Sequence, residues 1–303
     1  MNKTMCFFKN YHFSLRACFF SLCLILFAIN GVSVAQEDDS RNLSGFEIVK
    51  SSNERYVAHD ESTELWMLLI NSRGEIRTRK FLRLRKNFPD HKRVVLKFIY
   101  PEDIRDTGFL NEEKPSEKYD TQFLYLPVVK KVRRISAANK EQRWVGSDFF
   151  YEDIQEIKLN DWRFQRLTDG EIEGFPCYTV EWSPKADTET VYGKEVYWYR
   201  KDGFLPLRID YFNKKGDLWK RVIASDIRYN QGVWMAWKIV MEDFDAGHTT
   251  KMLRRWVFFD SSLPDDYFTT RAIEKNVRSY TYPSGLWDII NEPSDCDKEI
   301  TSQ

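Results

Sequence analysis

The chain has 303 residues, with 46 Lys and Arg against 46 Asp and Glu, and 42% of it is hydrophobic. A net charge of zero excludes an acidic or basic disordered tail and gives no general reason to expect nucleic acid as a partner. Only one apolar run, Ala17–Ile29, approaches membrane length, which excludes a polytopic membrane protein. The length fits one large or two ordinary domains, and an aromatic share of 16% leans toward β structure.

Lys3, Lys9 and Arg16 precede that apolar run, and Gly31-Val32-Ser33-Val34-Ala35 follows it with small residues where a signal peptidase inspects the chain. A basic start, 13 apolar residues and a small-x-small site predict a cleaved signal peptide over 1–35. The run falls short of the ~20 residues that an uncleaved anchor helix needs. Without this segment 43 basic residues face 46 acidic ones. Three of the five cysteines leave with it, so Cys177 and Cys296 remain, an even count in an exported protein. A disulfide between them and two independent thiols, one of them buried, both fit.

Leu43, Phe46, Ile48 and Val49 then lie near helical spacing with Ser44 as a cap, predicting a short helix within 40–58. A strand pattern starts at Glu64. Leu65–Ile70 is an apolar run, Asn71-Ser72-Arg73-Gly74 a turn, Ile76–Lys86 a long alternating strand and Val94–Tyr100 a third run, stopped by Pro101. The alternation of the second strand puts Arg77, Arg79, Arg83 and Arg85 on one face with Phe81, and Ile76, Thr78, Lys80, Leu82 and Leu84 on the other. That cationic stripe reads either as a contact for an anionic headgroup or acidic partner, or as a solvated outer face paired with carboxylates on neighbouring strands. The habit of half-buried antiparallel strands favours the second.

Further strands follow at Thr121–Val129, Lys131–Ser136, Arg163–Thr168, Cys177–Ser183, Glu195–Arg200, Leu205–Phe212, Leu218–Tyr229, Val233–Asp243 and Thr249–Phe259. Tight turns such as Lys201-Asp202-Gly203 and Asn230-Gln231-Gly232 predict consecutive antiparallel pairing. There is no βαβ rhythm to suggest a parallel sheet, and no linker rich in Pro, Gly or Ser divides the mature chain. A short helix is expected at Arg271–Lys275. The expected class is mainly β (α+β): one domain, built on a single antiparallel, strongly curved sheet.

A search for catalytic groups comes up nearly empty. His59, His91 and His248 are not paired at metal-ligand spacing, and no Cys-x-x-Cys, nucleophile elbow, phosphate loop or dinucleotide fingerprint is present. No metal or cofactor is therefore expected. A glycosidase would use a carboxylate pair such as Asp148 with Glu152 or Asp153, but acidic pairs are common. A turn in which Ser147 or Asp148 bonds local backbone N–H groups explains them more simply. An exported β protein rich in aromatics and without a reactive cluster reads as a binder or carrier. A sheet curved around an apolar space suits acyl chains, each CH₂ contributing ~0.8 kcal/mol.

Several stretches together resemble the LolA-like family of bacterial outer-membrane lipoprotein-sorting proteins, in the branch often encoded beside resistance-nodulation-division type exporters. They are Ile76-Arg77-Thr78-Arg79, Phe98-Ile99-Tyr100-Pro101-Glu102-Asp103, Thr107-Gly108-Phe109-Leu110, Phe123-Leu124-Tyr125-Leu126-Pro127 and Lys130-Lys131-Val132-Arg133-Arg134-Ile135. The most specific is Gly146-Ser147-Asp148-Phe149-Phe150-Tyr151-Glu152-Asp153, and Leu263-Pro264-Asp265-Asp266-Tyr267-Phe268-Thr269 is a late echo. The resemblance spans roughly residues 42–275. It implies an open, incomplete β-barrel lidded by short helices, which holds lipid or lipid-modified protein in the periplasm of a Gram-negative bacterium, without catalytic residues. After the signal peptide (1–35) the chain is expected to hold a carrier domain (36–276) and a C-terminal extension (277–303) with Trp287 and Cys296, which runs past the family pattern. Trp66, Leu68, Arg77, Arg79, Phe81, Arg83, Phe123 and Tyr125 are the expected cavity lining. Gly146, Ser147, Asp148, Phe149, Tyr151, Glu152 and Asp153 are the expected rim or lid brace. The implied partners are acyl chains of lipid or lipoprotein, an inner-membrane transporter of that exporter type and an outer-membrane acceptor. The competing reading is a periplasmic accessory or sensor domain that binds protein and fills its cavity with its own side chains.

Overall fold

The computed structural model describes residues 42–280, apart from 57, 118–119, 136–140 and 156–157, all within the compact unit Asn42–Gln303. The expected signal peptide, Trp287 and Cys296 lie outside the described residues.

Helix α1 (Gly45–Glu54) opens the fold, and Ser44 caps it as expected. The Ser44 hydroxyl accepts from the Glu47 N–H at 3.3 Å, and the Glu47 carboxylate accepts from the Ser44 N–H at 2.8 Å. This reciprocal box satisfies two N–H groups that a helix start leaves open. Ser44→Ala is expected to cost ~1 kcal/mol, seen as a lower urea midpoint at unchanged slope. An unchanged midpoint would mean that packing alone holds α1.

The strands are β1 (Asp60–Ile70), β2 (Ile76–Asn87), β3 (Lys92–Tyr100), β4 (Gly108–Glu113), β5 (Thr121–Leu126), β6 (Lys131–Ile135), β7 (Trp162–Arg166), β8 (Gly170–Ile172), β9 (Phe175–Pro184), β10 (Lys194–Arg200), β11 (Pro206–Phe212), β12 (Leu218–Asn230), β13 (Val233–Asp243) and β14 (His248–Phe259). Helix α2 (Thr270–Glu274) follows, at the expected place. The strands form one antiparallel sheet in the order β6-β5-β4-β3-β2-β1-β14-β13-β12-β11-β10-β9-β7, with β8 added on β9. Each half is a meander of neighbours in sequence, and the pairing of β1 with β14 joins the halves. The end strands β6 and β7 do not pair with each other, so the sheet is open and is not a closed barrel. Among the described residues no helix is long and apolar enough to cross a membrane.

Three elements depart from the expected series. β1 begins at Asp60, ahead of the apolar pattern. β8 is a three-residue strand where Asp169-Gly170 predicts a turn. β4 is a strand that alternation alone did not mark. Its first residue must be glycine, because a Cβ at Gly108 would stand 2.4 Å from the Ile273 carbonyl oxygen.

Register assigns the faces. The pairs Leu65↔Phe81, Phe81↔Phe98, Leu96↔Phe109 and Phe109↔Leu124 share one face. Leu84↔Val95, Val95↔Leu110 and Leu110↔Phe123 share the other. The first face carries α1, through Ile48 and Val49 on Tyr178, Val180, Trp182 and Tyr197, and it carries segment 142–154. The second carries segment 263–280 with α2. Lys158, just before β7, bonds Asp120 at 3.3 Å and the Lys114 carbonyl at 3.2 Å in the β4–β5 connection. The two ends of the sheet therefore approach each other. The sheet curls toward the face that carries α1, which is its inner face.

Candidate functional site

Segment 142–154 crosses the inner face at the end where β1 turns into β2. Trp144 is buried against Phe81 and Phe98, with ring centroids 5.9 and 6.4 Å away, and Tyr151 lies 6.2 Å from Phe109. Phe150 packs with Tyr192, Tyr211, Val222 and Met241 on the other half of the sheet. One loop thus plugs the space between the halves.

Its polar residues are spent on holding that shape. Asp148 pairs with Arg143, and its Oδ2 accepts from the Thr250 hydroxyl at 2.7 Å. Arg143 also reaches Asp243 at 2.6 Å. Asp153 accepts from the Phe150 N–H at 2.6 Å and the Tyr192 hydroxyl at 2.8 Å, and Glu152 accepts from the Val191 N–H at 3.2 Å. The Ser147 hydroxyl donates to the Trp144 carbonyl at 2.8 Å. Val145 is held at φ 42°, unusual for a β-branched residue, and Gly146 at φ 74°. Buried Lys220 donates to the Asp148 carbonyl at 2.6 Å, with its ammonium 3.2 Å from the Phe150 ring centroid. Burial lowers its pKa to about 8 against the pull of Asp153 and Asp243. Asp148, Glu152 and Asp153 thus anchor the segment, but the local backbone N–H is taken by Asp153 and not by Ser147 or Asp148 as expected.

Between this plug and the C-terminal end of α1 the inner face is polar. Glu61, 3% exposed, accepts from the Tyr56 hydroxyl at 2.7 Å and from Arg83 at 2.8 Å, and Arg254 stands 3.4 Å away. Burial pushes the Glu61 carboxyl up, but the Arg83 and Arg254 guanidiniums and the bonds from Tyr56 and Arg83 outweigh it and hold it at about 2. Asn111 and Gln122, cross-strand partners on β4 and β5, are 1% and 2% exposed. Asn111 Oδ1 and Gln122 Nε2 have no hydrogen-bond partner. Glu195 is buried beside Tyr197, whose hydroxyl donates to it at 2.7 Å. Its pKa is raised to about 8 by burial, against the Tyr197 bond, and with help from Asp153 and Glu152. The inner face is therefore not uniformly apolar, as a simple acyl cavity would require. It has aromatic ends and a hydrogen-bonding middle.

A cleft of about 360 Å³ opens at the seam where the sheet's ends approach. The outward side of α1 (Phe46, Lys50, Glu54) faces Pro115, Lys158 and Leu159 across it. Phe46 is 47% exposed.

The expected lining residues divide between the two faces. Arg77, Arg79, Phe81 and Arg83 lie on the inner face: Arg77 is exposed, Phe81 sits under Trp144, and Arg83 is paired to Glu61. The guanidinium of Arg85 stacks 4.4 Å from the Tyr56 ring centroid. Carboxylate pairing on a neighbouring strand thus holds for Arg83, but the stripe lies on the curled, covered face and not on a solvated one. Trp66, Leu68, Phe123 and Tyr125 belong to the outer face, where Phe123 and Tyr125 pack against segment 263–280. These eight residues do not line one cavity. Cys177 is a free, buried thiol on β9, its pKa pushed to about 11 by burial. The extension expected from Val277 starts inside the fold: the Val277 N–H donates to Asp106 at 2.7 Å, and the buried Tyr280 donates to the Ala272 carbonyl at 2.9 Å. Sequence reasoning missed Tyr56, Glu61, Arg254, Asn111, Gln122 and Glu195. The available signal was Glu61 facing Arg85 in register with Arg83 on the diagonal, which depends on knowing that β1 starts at Asp60.

An open, curled sheet with a helical cover and a hydrogen-bonding interior defines a binding protein. A family model described as "uncharacterized protein" matches residues 90–275. A Vibrio parahaemolyticus domain named for outer-membrane lipoprotein sorting is 28% identical at a TM-score of 0.71, over 76% of this chain and 98% of that one. A DUF1329 family protein from Desulfovibrio piger is 28% identical at 0.72, over 76% and 97%. A LolA superfamily protein from Nitrosomonas europaea shares the fold at 18% identity and 0.59, over 76% and 99%. No curated protein matches the chain. The chain belongs to the LolA-like family of outer-membrane lipoprotein-sorting proteins.

Proposed function

We infer that the protein is a periplasmic carrier, exported by the signal peptide over 1–35. It holds lipid or lipoprotein acyl chains against its inner face and passes them between membranes. The donor is an inner-membrane transporter of the resistance-nodulation-division type, and the receiver is an outer-membrane acceptor. The observation that carries this reading is the placement of α1. It covers the inner face at the open seam through only Ile48 and Val49 as buried apolar side chains, beside a cleft with the exposed Phe46. A cover held so lightly can swing, and transfer needs no covalent step, only different affinities of the open and closed forms. The polar middle of the inner face suits the ester or headgroup of an amphiphile, and the aromatic ends suit its chains.

Native mass spectrometry of protein taken from the periplasm is expected to show bound lipid, and the delipidated protein to bind a fluorescent acyl probe. Phe46→Asp is expected to weaken the probe about tenfold without loss of fold. Absence of both retained lipid and probe binding would overturn the reading. Segment 142–154 favours a second reading, because it fills one end of the interior with the protein's own side chains. A protein-binding accessory domain would retain no lipid and would co-purify with a stoichiometric protein partner.

A further inference from the structure

Among the described residues, five of the seven exposed large apolar side chains lie at one end of the sheet; Phe46 on α1 and Tyr229 at the β12–β13 turn are the other two. β1 and β2 pair from Asp60↔Lys86 to Ile70↔Ile76, which places the β1–β2 turn at one end. Antiparallel pairing puts the β3–β4, β5–β6 and β13–β14 turns at that same end, through Lys80↔Tyr100, Leu126↔Lys131 and Asp243↔His248. Ile76 (41% exposed), Tyr100 (48%), Val128 (90%), Val129 (53%) and Phe244 (44%) all lie there.

The β5–β6 hairpin is the most exposed of these sites and also the most basic. Pro127-Val128-Val129-Lys130-Lys131 forms its tip, with Arg133 and Arg134 close behind. Lys130, Lys131, Arg133 and Arg134 are all exposed. No acidic residue occurs between Thr121 and Lys140. Acids elsewhere at this end are partly neutralised, Glu75 by Arg73 at 2.9 Å and Glu102 by Arg105 at 2.8 Å. The exposed Asp245 next to Phe244 puts the β13–β14 turn at the margin of the patch.

We propose that this end of the sheet, led by the Val128-Val129 tip and its four flanking cations, docks the protein on the surface of an anionic phospholipid bilayer. The valines enter the headgroup–acyl boundary, and the lysines and arginines meet lipid phosphates. Charge complementarity selects the bilayer as the occupant: an apolar tip ringed by cations is the pattern of an interfacial contact. Two valines are a small apolar payload, so the contact is reversible, as a molecule that must leave the membrane again requires. The proposal does not depend on cargo, and delipidated protein is expected to dock equally well.

The test is co-sedimentation of the delipidated mature protein with vesicles of phosphatidylcholine, with and without phosphatidylglycerol, at low and high salt. Binding is expected only to the anionic vesicles, and to fall with salt. Each of Lys130→Ala and Lys131→Ala is expected to cost about fivefold in partition coefficient. Val128→Asp with Val129→Asp is expected to reduce binding at least tenfold at unchanged melting temperature, because both side chains are exposed. Tyr229→Asp, at the opposite end of the sheet, is expected to change nothing. Equal binding to neutral and anionic vesicles, full binding by the double valine variant, or loss of binding in the Tyr229 variant would each overturn the proposal. So would no vesicle binding by the unaltered protein, which would leave an acidic protein surface as the partner of the same hairpin.

Discussion

Glu61→Ala is expected to destabilise the protein by about 3–5 kcal/mol, one of the two largest single-residue effects foreseen in the fold. Glu61 lies on the inner face of the strand that joins both halves of the sheet, with Arg83 on one neighbour and Arg254 on the other. Removing the carboxylate leaves two largely buried guanidiniums facing each other and Tyr56 without its acceptor. The same group makes stability pH-dependent. Its folded value of about 2 lies below the usual value for an unfolded glutamate, about 4.3. A depressed acid stabilises the native state fully above the unfolded value, and the contribution is lost as pH falls through the folded one. The native protein should therefore lose stability between about pH 4.3 and 2, and Glu61→Ala should remove that part of the slope. Urea melts at pH 7 and pH 3 check both statements. A loss below ~1 kcal/mol at neutral pH would show that the cluster behaves as a solvent-exposed ion pair.

Trp144→Ala is expected to cost a similar amount, about 3–5 kcal/mol. The indole is 2% exposed and is the largest side chain by which segment 142–154 grips the first half of the sheet. Its removal leaves a cavity between Phe81 and Phe98 that the strands beneath cannot close, because both are fixed in register on each side. Equilibrium urea unfolding gives the magnitude. Acyl-probe binding to the folded variant gives a functional reading: if the plug shares its space with cargo, affinity rises when the plug is trimmed. A loss below ~1 kcal/mol would show that the segment rests on the sheet without packing into it.

Local chemistry was legible in the chain. Ser44 marked the helix cap, and the Gly, Asn and Asp turns placed most strand boundaries within two residues. The period of two on β2 was also correct, since Arg77, Arg79, Phe81 and Arg83 do share a face. Each of these rests on interactions within a few residues, where side-chain type and spacing are enough.

The stretch Asp60-Glu61-Ser62-Thr63-Glu64 shows where that reasoning stops. Five consecutive polar residues look like a solvated lead-in to the apolar run after them, yet all five are buried. Asp60 accepts from the Ser261 and Leu263 N–H groups at 2.9 and 3.0 Å, and Glu64 pairs with Lys80 and Arg255 at 2.9 and 3.1 Å. Some of these partners lie about 190 to 200 positions away along the chain, and only the pairing of β1 with β14 brings them close.

The amino-acid order thus settled the class of fold, the meander of strands and the helix cap, because propensity and periodicity are local. Which side of each strand faces inward was left to the assembled sheet. Both faces of the β1–β5 half are covered, one by 142–154 and the other by 263–280, so apolar alternation carries no sign that tells inside from outside. The buried polar middle and the apolar end likewise arise from register across strands remote in sequence, and they exist only once the sheet has curled.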